Sequence, residues 1–118
     1  MPSIRDVVRT LAVRDGVDAV IVLGRDGLPI DATTKDGVDA DGLAALVPSV
    51  VAACARLGTA AARGEFGMGA VEYAGGMAVI CALTPEALLA VFVRSNVNVG
   101  PLLYELHRHR SAIASLLQ

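Results

Sequence analysis

Two glycine-framed stretches are the first places where this sequence could hold a phosphate: Gly24-Arg25-Asp26-Gly27 and Gly64-Glu65-Phe66-Gly67-Met68-Gly69. A P-loop closes on Gly-Lys-Ser or Gly-Lys-Thr, so that the lysine and the hydroxyl reach the phosphates and their magnesium ion. Neither stretch does so, and the second has no strand before it and no helix after it. Hairpin and strand glycines account for both. Asp36, Asp39 and Asp41 are spaced somewhat like calcium ligands. Their best register, however, starts on Gly37 and puts Pro48 at the twelfth position, where a bidentate glutamate is required. They read as helix-capping and surface charges. His107 and His109 stand two apart on a predicted helix, so they point to different faces and cannot share a metal as an i, i+4 pair would. Glu105 and His109 do have the spacing of a surface pair. None of Ser3, Ser49, Ser95, Ser111 and Ser115 sits in a Gly-x-Ser-x-Gly elbow, and no pair of carboxylates offers acid and base roles. Cys54 and Cys81 lie in apolar segments without CxxC spacing and read as buried free thiols. The residue chemistry argues against an enzyme, and no catalytic, cofactor or metal residue is expected.

The composition narrows the field further. A chain of 118 residues is one domain, 1–118, by the usual length prior. It is long enough to bury roughly two-thirds of its unfolded surface without a disulfide or metal staple. Its apolar content of 54% leans on Ala and Val, with no Trp, so the core must be closely packed from small side chains. The net charge is −2, and there is no basic stripe to follow a phosphate backbone, which excludes nucleic acid as the expected partner. Met1-Pro2-Ser3 leads straight into a helical pattern rather than into a charged and then apolar leader. The longest uncharged run, Gly42 to Ala55, contains Pro48 and falls short of the about 20 residues of a membrane span. A soluble cytoplasmic protein with no membrane partner is the expectation.

The elements follow from the pattern. Ser3 and Asp6 resemble a capping box, and Ile4, Val7, Val8 and Leu11 recur at helical spacing up to Arg14-Asp15-Gly16. Val17 to Leu23 is β-branched and apolar at successive positions, which suits a strand covered on both faces. A turn at Gly24-Arg25-Asp26-Gly27 leads to a second strand, Leu28 to Thr33, where Pro29 points to an edge or a bulge. Asp39 or Asp41 caps a long helix running to Arg63 and ended by Gly64. Pro48 inside it removes a hydrogen bond and predicts a kink or a loosened first turn. Phe66 to Ala74, Met77 to Leu83 and Ala87 to Val93 are three further strands, the first two joined by a hairpin at Gly75-Gly76. Connections this short leave no room for helical crossovers, so the strands run antiparallel. The last helix starts at Asn98 or Gly100, with Pro101 in its first turn and Val99, Leu102, Leu103, Leu106, Ile113 and Leu117 toward the core. The expected fold is α+β, in the order α-β-β-α-β-β-β-α. One five-stranded antiparallel sheet lies between the central helix and the two terminal helices.

The long central helix is the unusual element. Leu43, Leu46, Val47, Val50, Cys54, Leu57 and Ala61 form one apolar stripe and read as its core-facing side. The flank beside it, Ala44, Val51, Ala55 and Ala62, is apolar too. The remaining side carries Ala45, Ala52, Arg56, Thr59 and Arg63. A helix this apolar around its circumference is buried on more than one side. In a chain this short, a second copy is the expected cover. The third strand supports self-association, because Gly67 and Gly69 leave one side bare for another backbone and an open edge invites pairing. The expected dimer interface is therefore Ala44, Val51, Ala55 and Ala62, with Met68, Ala70 and Glu72.

This order of elements resembles the Roadblock/dynein-light-chain family. The residues that carry the resemblance are Val20-Ile21-Val22-Leu23-Gly24-Arg25-Asp26-Gly27-Leu28-Pro29-Ile30, the Ala-rich central helix, and Asn98-Val99-Gly100 opening the helix that contains Leu102-Leu103-Tyr104-Glu105-Leu106. The likeness is to the bacterial, MglB-type members, regulators of small Ras-like GTPases. It implies a homodimer in which sheets join through the third strands and central helices lie side by side. The paired helices then form a platform for the GTPase, which hydrolyses GTP with its own groups repositioned and with no inserted arginine finger. On this chain the platform would be Ala45, Ala52, Arg56, Thr59 and Arg63. Pro48 departs from a regular helix there, and ending at Gln118 implies that an activity requiring a C-terminal extension is missing. The rival readings are a small-molecule sensor, which needs a closed pocket with convergent polar groups, and a structural scaffold indifferent to nucleotide state.

Overall fold

A computed structural model describes residues 2–117; Met1 and Gln118, which bear on the expected absence of a leader and of an extension, lie outside them. The chain forms helix α1 (Ile4–Ala12), strands β1 (Val17–Gly24) and β2 (Pro29–Thr34), helix α2 (Ala40–Ala60), strands β3 (Met68–Tyr73), β4 (Gly76–Ala82) and β5 (Ala87–Arg94), and helix α3 (Gly100–Ser115). The strands make one sheet in the order β2-β1-β5-β4-β3, with every neighbouring pair antiparallel. The expected α+β order and sheet are thus present, with element ends shifted by one to three residues.

The sheet separates two cores. On one side Val20 and Val22 of β1 and Leu89 and Val91 of β5 meet Val8 and Leu11 of α1 and Leu102, Leu106 and Ile113 of α3. On the other side Ile21, Leu23, Leu88, Ala90 and Ile80 meet Ala44, Val47 and Val51 of α2. Alternation along β1 and β5 supplies both layers at once, which is why those strands are apolar at successive positions.

Local chemistry sets the ends of the elements. The Ser3 hydroxyl accepts from the Asp6 amide, and the Asp6 carboxylate accepts from the Ser3 amide, completing the capping box. That pair holds the Asp6 carboxyl below its ordinary pKa, chiefly through the bond from the Ser3 backbone. Arg5 reaches Asp31 at 3.2 Å and ties α1 to the edge strand. Pro29 occupies the expected irregular site: β2 is an edge, and its register with β1 shifts between Val22 and Leu23, where Leu23 faces Pro29. The hairpin lies one residue earlier than expected, since Tyr73 pairs with Gly76 and leaves Ala74-Gly75 as the two-residue loop.

Two expectations for α2, a loosened first turn and an end at Arg63, are corrected. It runs unbroken through Pro48, and its first turn is closed by the Leu43 amide donating to the Asp39 carbonyl at 3.0 Å. It also ends three residues earlier than expected. The Arg63 amide donates to the Gly58 carbonyl and the Ala62 amide to the Thr59 carbonyl, a Schellman arrangement with Ala62 at φ 56°. The left-handed cap residue is therefore Ala62, where glycine is the usual choice, and not Gly64. For an L-residue that conformation costs about 1 kcal/mol. Ala62→Gly is expected to raise the free energy of unfolding by about that amount in urea denaturation, and a loss of stability would show that this cap is not strained.

Candidate functional site

The site is built on the side of α2 that faces away from its own sheet. Ala44 is 0% exposed and Val51 2%, both pressed with Val47 against β1, β5 and β4. The helix is thus rotated from the expected orientation. Small side chains occupy its contact with the sheet, whereas Leu46 (66% exposed), Val50 and Leu57 (70% exposed) point outward. Ala44 and Val51, expected in a dimer interface, are used in the chain's own core. The expected core residues Leu46, Val50 and Leu57 are the free ones. Packing explains the exchange: a helix lies close over a sheet when its contact residues are short.

Leu46, Val50, Ala53 and Leu57 follow one another at intervals of four, three and four residues, the spacing of a seam between two helices. This stripe runs on the flank of α2 that also carries Leu43, which shares a groove with Tyr73, Gly75, Gly76 and Phe92. The opposite flank faces the β1–β2 turn. There Gly27 packs against the Ala45 backbone, and Pro48, Ser49 and Ala52 line a groove with Arg25.

β3 forms the open end of the sheet, and its Tyr73 shares a groove with Leu43 of α2. Pairing of Val71 with Ala78 and of Gly69 with Ile80 puts Gly69, Val71 and Tyr73 on the α2 side, where Val71 and Tyr73 are exposed. Met68 pairs with Cys81 and turns the other way, toward α1 and α3, as do Ala70 and Glu72. Val71 and Tyr73 therefore share the sheet face that α2 covers, whereas Met68, Ala70 and Glu72, expected in the dimer interface, lie on the face of α1 and α3. The bare sides of the two glycines are also already occupied. A Cβ on Gly67 would lie 2.7 Å from the Arg110 guanidinium, and one on Gly69 would touch Phe66. Ala55 is half-buried at the C-terminal end of α2, and Ala62 is exposed just beyond it.

Ala45, Ala52, Arg56, Thr59 and Arg63 are all exposed on the flank beyond the apolar stripe. The Thr59 hydroxyl donates back to the Ala55 carbonyl, so it adds no free donor there. Arg25, brought beside Ala52 by the β1–β2 turn, joins this flank. Sequence reading missed it because Arg25 and Ala52 are far apart along the chain and only the fold brings the two together. Elsewhere Glu105 pairs with Arg14 and not with His109, because the end of α1 is packed beside α3. No group of three or more metal-binding side chains occurs among the described residues. By length and composition α2 alone among the described helices could cross a membrane, and most of it is uncovered by the rest of the chain.

The sequence pattern of the Roadblock/LC7 domain matches residues 4–92, and the chain belongs to that family. Its fold is similar to that of Myxococcus xanthus MglB, at 18% identity and a TM-score of 0.86 over 97% of this chain and 94% of that one. It is equally similar to a Roadblock/LC7 domain from Streptomyces avermitilis, at 19% identity and a TM-score of 0.85 over 98% of each chain. The gliding protein MglB of Thermus thermophilus superposes with a TM-score of 0.82 at 17% identity, over 96% of this chain and 87% of that one. No curated protein matches by sequence.

The rotation of α2 has a direct test. Val51→Arg buries an unpaired charge and is expected to cost about 3 kcal/mol or more of folding stability. Leu57→Ser, on the exposed side, should change it by no more than about 0.5 kcal/mol. Urea denaturation in solutions dilute enough to suppress self-association separates the two, and similar losses would return Leu57 to the core.

Proposed function

We propose that this protein is a homodimeric regulator or adaptor of a small Ras-like GTPase. The observation that carries the reading is the juxtaposition of an apolar, largely uncovered helix with an open edge strand. Leu46, Val50, Ala53 and Leu57 of α2 would meet their counterparts across a two-fold axis. Val71 and Tyr73 would extend the same contact along β3. Such a seam shields large apolar side chains, each worth roughly 1.5 to 3 kcal/mol when fully buried. The two-fold arrangement applies the gain on both copies.

The neighbouring flank, Ala45, Ala52, Arg56, Thr59 and Arg63, is then left facing outward from the pair. Its short side chains allow a partner's surface to approach closely, and its arginines can meet carboxylates there. Family membership and the fold's likeness to MglB proteins support a GTPase as that partner. In this reading the protein contributes no catalytic group. It binds the GTPase in one nucleotide state and orders the groups that the GTPase itself supplies.

Leu57→Glu is expected to convert the dimer to a monomer in light scattering without unfolding it; a wild-type mass would remove this seam. Ala52→Arg is expected to leave the dimer intact while lowering affinity for the GTPase about tenfold or more, the loss typical of a bulky charge placed in a close contact. The direct test compares binding to a small GTPase encoded beside this protein, loaded with a GTP analogue or with GDP. Preference for the triphosphate form supports regulation. Equal binding to both would favour a scaffold, and no binding would overturn the GTPase reading.

A further inference from the structure

Beyond the C-terminal end of β4 lies an open cleft of about 710 Å³, bounded by the end of α2, residues 64–66, the β4–β5 turn and α3. Its walls include two arginines, Arg25 and Arg110, that come from opposite ends of the sequence. Neither has a carboxylate partner among the described ion pairs, which involve Arg5, Arg14, Lys35 and Arg94.

Arg110 is the better built of the two. It is half-buried, and its guanidinium occupies the space left by the missing side chain of Gly67. It also lies near the thiol of Cys81, whose pKa burial raises and Arg110 partly restores. A guanidinium held in place between a glycine and a sheet, partly stripped of water and lacking a counter-charge, is poised for an anion. Arg25 lines the same cleft from the β1–β2 turn. The Thr84 side-chain oxygen accepts from the Glu86 amide, which leaves its hydroxyl hydrogen free to donate into the cleft. One acid, Glu65, stands exposed on the lip and opposes the two positive charges.

We propose that this cleft binds a small soluble polyanion, a ligand carrying phosphate or carboxylate groups, between Arg110 and Arg25. Its volume falls within the range of about 300 to 1,000 Å³ common for small-molecule sites. Planar guanidinium forks match the oxygens of either group. The site is separate from the apolar seam of α2, shares Arg25 and Thr59 with the flank proposed to meet the GTPase, and needs no GTPase for its own binding to be measured.

The experiment is calorimetric titration of the full chain with inorganic pyrophosphate and, separately, with citrate, at physiological salt. Saturable binding of at least one anion is expected, and the preferred anion identifies the ligand group. Arg110→Gln and Arg25→Gln should each weaken that binding about tenfold or more, the effect of losing a charge-assisted hydrogen bond. Glu65→Gln should tighten it, and Arg9→Gln, on α1, should leave it unchanged. Arg25 lies in an exposed turn, so its variant remains informative even if Arg110→Gln unfolds the protein. Absence of binding up to about 10 mM of either anion, a concentration at which even millimolar affinity would register, would overturn the proposal. So would equal weakening by Arg9→Gln, which would reveal only diffuse attraction to positive charge.

Discussion

The pairing of β1 with β5 is the contact on which the remaining architecture rests. Both strands are buried on both faces, and each sends alternate side chains into two separate cores. A strand pair of this kind is stable only if something apolar covers each side of it. Two helices share the work on one face. On the other, α2 does it alone, with three small buried residues in contact with the sheet. The narrowness of that contact leaves most of a 21-residue apolar helix uncovered.

The same constraint explains what could be read from the sequence. The order of elements was legible because β-branched runs, glycine turns and the Ser3-Asp6 box are local signals. Rotation of α2 about its axis was not. When nearly every position is apolar, hydrophobic size points to Leu46 and Leu57 as the core. Close approach to a sheet instead selects Ala44, Val47 and Val51. The helix end at Ala62 was missed for a related reason: Gly64 is the residue that local preference favours, but the hydrogen bonds from Ala62 and Arg63 close the helix first.

Relations between distant residues were invisible for a different reason. Gly67 reads as a strand glycine, and its role as the slot for Arg110 exists only once α3 crosses the end of β4. Arg25 sits in a turn that has the glycines but not the lysine and hydroxyl of a phosphate loop, yet its side chain reaches the C-terminal half of α2. In both cases the sequence displayed the residue type, while the chemistry came from what the fold placed opposite it.

The two ends of the sheet differ in a way that limits how this protein could grow. β2 begins with Pro29, breaks register beside it, and has Arg5 of α1 fastened across Asp31. Such an edge is a poor template for another strand, whereas β3, at the opposite end, has neither proline nor bulge. A sheet able to add strands at both ends can lengthen into a fibre. One that can add only at β3 consumes its single receptive edge in the first encounter, and any continuous sheet made that way ends at ten strands, twice the five of one chain.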